Sequence, residues 1–448
     1  MSLDKKVDEY IDYGYDVLKK LIACESVLDE YRENSDIPFG EGAKKALLTL
    51  LEVGNQAGFK TKNVDNYAGY LEFGTGKDVL GVLAHLDVVP VAKEEWETNP
   101  FELVFKGDKM YGRGTTDDKG PLVASLVAMK MLLDEGFKPN YRVRLIAGCD
   151  EESGSRCLER YLEKEGEPAV AFSPDASFPV IYGEKAIISY DLNLDLKDDC
   201  LLNMEAGLRY NMVPSDAKMT LSVDLKDKYL AYLKENGYEG KVEGNTYYAK
   251  GKISHAMEPD NGLNAIYILF DFLAKNTDSK AAKFIEKYYL WDNHGKKAGY
   301  YDEDLEMHDL TSNMAIARTE NGKLRLGVNC RCPLDSAFET IPAALKKITD
   351  GTNNEFNFLG GSPRHYVPKN SKLVSTLVKV YRDVTGDMSE PITIGGGTYA
   401  REMINAVAFG PIKPNEPDVC HISNEYFTVQ DFKDAIKIYY LAIKELSI

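Results

Sequence analysis

The chain has 448 residues, of which 44% are hydrophobic and 28% are charged, and its formal net charge at pH 7 is −17. This length predicts two or three domains with a core large enough to need no disulfide bonds. The negative charge argues against nucleic acid and anionic membrane surfaces as partners, because both select basic surfaces. Seven cysteines without a CxxC pair, and an N-terminus without an apolar signal core, favour free thiols in the cytoplasm.

The first part of the chain alternates between helix and strand patterns. Apolar residues at helical spacing predict helices over residues 4–24, 41–58, 119–135 and 155–164. Short apolar runs predict strands over residues 67–73, 79–85, 141–147 and 169–172. Similar patterns return later, at residues 371–385, 392, 407–409 and 429–446. This alternation indicates an α/β domain, in which helices flank a mostly parallel central sheet.

The middle of the chain follows a different pattern, in which strands predominate. The predicted strands cover residues 187–194, 217–223, 247–253, 312–318 and 323–330, and the predicted helices cover residues 262–275 and 338–349. This pattern is typical of an α+β domain. We therefore expect an inserted domain at 186–370 that interrupts a catalytic domain formed by residues 1–185 and 371–448.

A histidine and an aspartate end a short apolar run, in the string Gly81-Val-Leu-Ala-His85-Leu-Asp87. Strand side chains alternate with period two, so His85 and Asp87 point the same way from a strand end. An imidazole beside a carboxylate is how proteins orient a metal ligand. A lone histidine is more often structural, so His85 becomes a metal candidate through the acidic clusters that follow it.

Two acidic clusters lie at predicted element boundaries. Asp117 begins an acidic pair between glycines at a helix start, and it is the candidate for a carboxylate that bridges two ions. The simpler interpretation is a solvated turn. Glu151 and Glu152 follow Asp150 at a strand end, where three carboxylates repel one another and a divalent cation would neutralise them. The alternative there is a capping box for the next helix.

Two more candidates complete the set. Asp175 follows a predicted strand in Phe-Ser-Pro-Asp-Ala-Ser, and it is weak evidence by itself. His421 lies in Cys-His-Ile-Ser-Asn-Glu-Tyr, just before the last predicted helix. Two histidines with three or four carboxylates, and no cysteine, suit a hydrolytic site with two zinc or manganese ions.

Five sequence pieces, in this order and spacing, resemble a known family. They are GVLAHLDVVP, YGRGTTDDKGP, DEESGS, FSPDASFP and CHISNEY. They are similar to motifs of the di-metal aminoacylase/carboxypeptidase family of metallopeptidases, and within it to the bacterial PepV-type, carnosinase-like dipeptidases. The resemblance covers nearly the whole chain, and it makes the inserted domain a lid.

The resemblance implies a ligand set for two divalent ions in each chain. His85, Asp117 and Asp175 would hold one ion. Asp117, Glu152 and His421 would hold the other, so that Asp117 bridges them. The expected metal is Zn²⁺, with Mn²⁺ or Co²⁺ as alternatives.

The resemblance also implies roles around the ions. Glu151 would be the general base that takes a proton from the attacking water, and Asp87 would orient His85 from behind. In the inserted domain, His255 and Asn211 would polarise the scissile carbonyl oxygen, and Arg331 would clamp the substrate carboxylate. From the sequence alone, these three residues are better explained as ordinary polar residues of the inserted domain.

A glycine loop near the C-terminus is a further substrate-binding candidate. Gly396, Gly397 and Thr398 lie in Gly-Gly-Gly-Thr before a predicted helix, where backbone N–H groups could receive a substrate carboxylate. The alternative is simply a flexible turn.

The resemblance implies a dipeptidase that hydrolyses dipeptides with a free N-terminus, as a monomer or as a homodimer through the lid. One alternative is an N-acyl-amino-acid deacylase, such as a desuccinylase, on the same scaffold. Another is a non-catalytic metal- or peptide-binding protein. The aspartate at 175 and the long lid favour dipeptides, and the presence of Glu151 argues against a silent protein.

Overall fold

The computed structural model describes residues 2–448, which form two compact units. The first unit contains the chain up to Tyr182 together with Tyr366–Ile392 and Gly397–Ile448. The second unit contains Gly183–His365 and Thr393–Gly396. The sequence did not indicate that the short segment Thr393–Gly396 belongs to the second unit. The boundaries of the inserted domain at 186 and 370 remain a prediction from the sequence, whereas contacts in the structure give 183 and 365 for the long segment of the second unit.

Ten α-helices are present in residues 2–448. They are α1 (Leu3–Ile22), α2 (Glu41–Gln56), α3 (Lys119–Asp134), α4 (Arg156–Glu165), α5 (Lys226–Asn236), α6 (Ala265–Asn276), α7 (Lys280–Tyr288), α8 (Ala337–Thr349), α9 (Lys372–Thr385) and α10 (Val429–Leu446).

The strands of three or more residues in the same range number nineteen. The first eight are β1 (Lys60–Val64), β2 (Ala68–Phe73), β3 (Val79–His85), β4 (Val104–Lys106), β5 (Lys109–Tyr111), β6 (Arg142–Gly148), β7 (Val170–Ser173) and β8 (Ile181–Glu184). The next eight are β9 (Ala186–Asp195), β10 (Leu201–Ala206), β11 (Asp216–Leu221), β12 (Glu239–Glu243), β13 (Thr246–Lys250), β14 (Thr311–Glu320), β15 (Lys323–Cys332) and β16 (Glu355–Ser362). The last three are β17 (Ile392–Ile394), β18 (Ala406–Ala408) and β19 (Tyr426–Thr428).

The first unit is built on a central sheet in the order β1-β2-β6-β3-β7-β18-β8. The strands β6, β3, β7 and β18 are parallel to one another, whereas β1, β2 and β8 pair antiparallel. Helix α3 packs on β3 and β6 and also contacts α1 and α10. Helices α2 and α4 pack against β1 and β2. The predicted α/β class is therefore confirmed, and the parallel strands form the centre of the sheet.

The second unit is built on an eight-stranded antiparallel sheet in the order β12-β13-β11-β10-β14-β15-β9-β16. Burial alternates along β9, where every second residue from Ala186 to Leu194 is buried. These side chains join a core that includes buried residues of α5 to α8. The predicted α+β character of this segment is thus present in the second unit.

The helices of residues 2–448 include none with the length and apolar content that a bilayer crossing requires.

Candidate metal centre

The candidate ligands come from one edge of the parallel sheet. His85 is the last residue of β3, Glu151 and Glu152 follow β6, and Asp175 follows β7. Since β3 runs parallel to both β6 and β7, the carboxyl ends of the three strands meet at this edge. Open α/β sheets form their sites there.

The Asp117 carboxylate lies between two imidazoles. Its Oδ1 is 3.0 Å from Nε2 of His85, and its Oδ2 is 2.7 Å from Nε2 of His421. Asp117 and His85 are buried, whereas the side chain of His421 is half-exposed. One carboxylate thus presents a different oxygen to each histidine, as a bridging ligand would.

Each imidazole has a second carboxylate neighbour. Asp175 Oδ2 lies 3.7 Å from His85 Nε2, and Glu152 Oε1 lies 3.1 Å from His421 Nε2. The result is two groups that could each hold a metal ion. Within each group the ligand atoms lie within 4.8 Å of one another. One group is His85, Asp117 and Asp175, and the other is Asp117, Glu152 and His421. The structure therefore brings together all five residues that the resemblance selected as ligands.

Electrostatics at the site fit the binding of cations. Burial raises the pKa of Glu152 and of Asp175, because the carboxylates share a space with little water. Burial by itself would lower the pKa of His85, but Asp175 and Asp117 raise it well above its usual value. Hydrogen bonds to Asp117 and Glu152 raise the pKa of His421 to about 10. The donor set thus carries excess negative charge that divalent ions would compensate.

Asp87 connects the histidine to the acidic pair. Its Oδ1 accepts from the backbone nitrogen of Glu151 at 3.1 Å, and its Oδ2 accepts from that of Glu152 at 3.0 Å. Its Oδ1 also lies 3.5 Å from Nδ1 of His85, and its backbone oxygen lies 2.9 Å from the same nitrogen. An Nδ1–H that donates to that carbonyl leaves the Nε2 lone pair of His85 facing Asp117 and the candidate ion.

Glu151 belongs to the site without belonging to either ligand group. Burial and the charge of Asp175 raise its pKa well above the usual value. A partly buried carboxylate with a raised pKa can accept a proton and hold it, which is what a general base requires.

The third acid of the cluster has a different partner. Asp150 accepts from Nε of Arg156 at 2.6 Å and from Nη2 at 2.7 Å, and its Oδ2 also accepts from the Arg156 backbone nitrogen at 3.2 Å. Ser155 occupies the N-cap position of α4 without a side-chain cap bond. A carboxylate therefore caps this helix, and arginine neutralises one of the three adjacent acids.

Two residues that were not predicted as site residues support the bridge. The buried carboxylate of Glu425 contacts the loop that carries Asp117, and it pairs with Arg113 at 2.7 Å. Asp118 is joined to Asp117 by a cis peptide bond, and its Oδ2 accepts from the backbone nitrogen of His85 at 3.1 Å. The only signal for these residues in the sequence was their place within the recognised motifs.

Lys119 is the most deeply buried cation near the site. Its Nζ donates to the backbone oxygens of Leu21 at 3.0 Å and Cys24 at 2.9 Å, at the end of α1. Burial lowers its pKa to about 8. The start of α3 is thereby attached to the end of α1.

In the second unit, the candidates His255 and Asn211 lie on adjoining segments. Met212 pairs with His255 in a short antiparallel bridge, and the backbone nitrogen of Ala256 donates to the backbone oxygen of Asn211 at 2.9 Å. The backbone N–H of Met257 donates to Nδ1 of His255 at 3.2 Å. Burial and the neighbouring Arg331 lower the pKa of His255. A neutral His255 therefore carries its proton on Nε2.

Arg331 is oriented by groups of the same unit. Its Nε donates to Oδ1 of Asn329 at 2.8 Å, and its Nη1 donates to the backbone oxygen of Gly395 at 2.8 Å. Asn329 in turn donates to Oγ of Ser189 at 3.0 Å. These bonds restrict the guanidinium, as a fixed carboxylate clamp would require.

The glycine loop does not open an α-helix. Thr398 accepts from the backbone nitrogen of Ala400 at 3.1 Å and caps a four-residue 3₁₀ turn, Tyr399–Glu402. Gly396 lies at the end of the second unit and Gly397 at the start of a segment of the first. A short turn ends too soon to build a helix dipole, so backbone N–H groups are what the loop could offer to a substrate.

His294 has an acidic partner that its sequence context did not indicate. Its Nε2 lies 3.0 Å from Oδ2 of Asp260, and its Nδ1 lies 2.8 Å from the backbone oxygen of Leu310. Asn293 also donates to Asp260, at 2.8 Å. Asp260 follows His255 by five residues, so this contact supports the loop that carries a substrate-binding candidate.

Comparison with known proteins gives a family match across most of the chain. Residues 81–445 match Peptidase family M20/M25/M40. A Staphylococcus epidermidis protein named "Putative dipeptidase" is 39% identical over 468 residues, covering 99% of both chains. A Staphylococcus aureus (strain MW2) protein with the same kind of name is 39% identical over 465 residues, again covering 99% of both.

Solved structures share the fold at low sequence identity. Human carnosine dipeptidase 1 superposes with a TM-score of 0.59 at 15% identity, covering 99% of this chain and 98% of that one. The dipeptidase Dug1p of Saccharomyces cerevisiae gives 0.57 at 17% identity, with coverage of 99% and 98%. An M20 family metallo-carboxypeptidase of Sulfolobus solfataricus gives 0.56 at 21%, with coverage of 97% and 99%.

Proposed function

Since this chain belongs to peptidase family M20/M25/M40, we propose that it is a metal-dependent dipeptidase that cleaves dipeptides with a free N-terminus. The observation that carries the proposal is Asp117, whose two oxygens face His85 and His421 at 3.0 and 2.7 Å. Relatives that are 39% identical over 99% of their length and are named as dipeptidases support the substrate class.

Five side chains of the first unit would hold two divalent ions. His85, Asp117 and Asp175 would hold one, and Asp117, Glu152 and His421 would hold the other. Bound ions of this kind lower the pKa of water and polarise a carbonyl oxygen. The mixed nitrogen and oxygen donors, without a thiolate, favour Zn²⁺, with Mn²⁺ or Co²⁺ as alternatives.

The chain's own residues would move the proton. Glu151 takes a proton from the attacking water, and it then gives that proton to the amine that leaves. Its backbone is fixed by Asp87, which limits where the carboxylate can lie. The pKa raised by burial suits a group that must both accept and release a proton.

The second unit would bind the substrate and stabilise the transition state. The Nε2–H of His255 would donate to the carbonyl oxygen, since Met257 occupies Nδ1. Asn211 would assist it. Arg331 would bind the C-terminal carboxylate, and the loop of Gly396, Gly397 and Thr398 would offer backbone N–H groups to the same end of the substrate.

A hydrolysis screen tests the proposal directly. Purified chain is incubated with Zn²⁺, Mn²⁺ or Co²⁺ and with dipeptides, tripeptides and N-acylated amino acids, and the released amino acids are measured. Preferred cleavage of dipeptides is expected. Preferred cleavage of N-acylated amino acids would establish the deacylase instead, and metal uptake without any hydrolysis would indicate a binding protein.

Two further proposals concern the compartment and the oligomeric state, and each has its own experiment. The cysteines are unpaired in residues 2–448, which supports a reducing compartment such as the cytoplasm, and fractionation of cells would test it. A monomer or a homodimer through the inserted domain is proposed, and light scattering of the purified chain distinguishes the two.

A further inference from the structure

Glu425 is a fully buried carboxylate that is surrounded by donors. It accepts from Nη1 of Arg113 at 2.7 Å and from the backbone nitrogens of Thr116 at 2.8 Å, Asp117 at 3.1 Å and Gly114 at 3.1 Å. A carboxylate with several donors is held more tightly than one with a single partner. None of these contacts involves an atom that would ligate an ion.

The loop is shaped to receive this carboxylate. Gly114 has φ +91°, a left-handed conformation that favours glycine. That conformation lets successive backbone N–H groups converge on one anion, as in an anion-binding nest. Glu425 supplies the anion from a segment more than 300 residues further along the chain.

Glu425 also ties two ligand-bearing segments together. It follows His421 by four residues, and its backbone oxygen accepts from the nitrogen of Gly112 at 3.2 Å. The next residue, Tyr426, accepts from Oγ1 of Thr116 at 2.7 Å and pairs with Tyr111 in an antiparallel ladder. The segment that carries His421 is therefore attached to the loop that carries the bridging carboxylate.

We propose that Glu425 is the positioning residue of the two-ion centre: it fixes the backbone of Asp117 and couples that backbone to the His421 segment. The inference rests on the ligand assignment of the proposed function. Because Asp117 belongs to both ligand groups, a displaced Asp117 weakens both ion sites together. If Glu425 only stabilised the fold, its replacement would lower the stability of the protein and leave the affinity for the two ions unchanged.

The substitution Glu425→Gln removes the charge and keeps the shape. An amide has one oxygen and one NH₂ group, so its donor end faces backbone N–H groups that it cannot satisfy. Outer partners of metal ligands contribute about 10–100-fold to metal affinity. We therefore expect Glu425→Gln to bind both ions about 10–100-fold more weakly, with hydrolysis restored by excess metal.

The matched control is Glu72→Gln. Glu72 is also buried and pairs with an arginine, Arg144, at 2.6 Å. It lies on β2, and both of its arginine partners, Arg142 and Arg144, lie at the start of β6, at the opposite end from Glu151 and Glu152. Metal-free protein is titrated with Co²⁺, whose absorption spectrum reports occupancy, and melting curves are recorded beside it. The control should lose stability and keep wild-type affinity for two ions.

Several outcomes would overturn the proposal. They are wild-type Co²⁺ affinity in Glu425→Gln, a loss no larger than that of the control, a loss confined to one ion, and a wild-type chain that takes up no Co²⁺. If Glu425→Gln does not fold, Glu425→Asp is titrated instead, since it keeps the charge but shortens the reach. It should bind both ions at least about tenfold more weakly, and unchanged affinity would equally overturn the proposal.

The titration uses no substrate, so the two proposals fail separately. A wild-type chain that binds two ions and hydrolyses no dipeptide overturns the proposed function and leaves the role of Glu425 intact. A wild-type chain that hydrolyses dipeptides, with a Glu425→Gln variant that keeps its ions, overturns the role of Glu425 alone.

Discussion

Asp87 fixes the backbone of Glu151, the proposed general base, through a 3.1 Å hydrogen bond from the Glu151 nitrogen to its Oδ1. The other oxygen of the same carboxylate fixes Glu152, a proposed ligand, at 3.0 Å. One residue therefore sets the spacing between the base and a ligand.

Removing the base should separate chemistry from metal binding. Glu151→Ala is expected to keep both ions and to lose about 10²–10⁴-fold in kcat, the usual contribution of a general base. Metal analysis and kinetics at saturating dipeptide measure the two effects. His421→Ala, which removes a ligand, is the comparison and should lose metal. Near-normal activity in Glu151→Ala would remove this residue from the mechanism.

Weakening the hydrogen bonds of Asp87 should lower both metal affinity and kcat. Asp87→Asn replaces one oxygen by an NH₂ group, so it cannot accept from both Glu151 and Glu152. Metal affinity should fall about 10–100-fold, and kcat should stay low even when metal is saturating. Full recovery of kcat with excess metal would show that Asp87 acts only through the ligands.

Metal uptake should release protons. In the metal-free chain the pKa of His421 is about 10, so at pH 8 the ring holds a proton that must leave before it can ligate. Affinity for Zn²⁺ should therefore rise with pH up to about 10. Calorimetry in two buffers of different ionisation enthalpy counts the protons, and His421→Ala, which keeps only the group of His85, Asp117 and Asp175, should release fewer. An equal count in the variant would contradict the assignment.

The same group should affect the stability of the metal-free chain in the opposite direction. The pKa of His421 is raised from 6.5 to about 10 on folding, so the folded chain holds this proton more tightly than the unfolded chain. Its stabilising contribution is complete below pH 6.5 and is lost as the pH rises to about 10. Denaturant melts of the wild type and His421→Ala in chelator should converge at high pH.

His255 of the second unit should contribute to kcat more than to KM. An oxyanion donor acts in the transition state, so His255→Ala should lower kcat by about 10²–10³ with unchanged metal content. His308→Ala, at an exposed position of the same unit, is the control. A purely structural His255 would instead lower the melting temperature and leave the kcat of the folded fraction intact.

The carboxylate clamp predicts a limit on substrate length. Arg331 is oriented by Asn329 and the Gly395 carbonyl, so it should hold the substrate's C-terminal carboxylate at one fixed place. Only a substrate of one length can then present its peptide bond for cleavage. Dipeptides should be cleaved far faster than pentapeptides or amidated dipeptides, and Arg331→Met should reduce this preference. Equal rates on free and amidated dipeptides would exclude the clamp.

The sequence predicted the helices and the central parallel strands of the first unit well because their hydrophobic patterns are strong, whereas it did not predict the edge strand β1 or the short strands β4, β5 and β19. The strand at 79–85 and the helix at 371–385 agree closely with β3 and α9. In the second unit, α5 and the edge strand β12 were missed, because both are rich in charged residues and show little periodicity. Both elements are mostly exposed, so their formation depends on packing against the rest of the unit, which no local sequence pattern records.

At the site, the sequence indicated ligand candidates but not the contacts that hold them. Glu425 and Gly114 are separated by 311 residues, so no spacing rule could connect them. His294 and Asp260 are likewise in contact across a separation of 34 residues. Residue type and strand ends carry information about chemistry, whereas long-range hydrogen bonds depend on the folded backbone.

The buried ammonium of Lys119 limits how far the chain can be shortened at its N-terminus. Its hydrogen bonds end on the backbone oxygens of Leu21 and Cys24, at the C-terminal end of the first helix. A chain shortened beyond Cys24 would leave that cation without these acceptors, two positions from Asp117. A chain trimmed at the N-terminus should therefore keep Leu21 and Cys24, so that the cation beside the candidate ligands keeps its two acceptors.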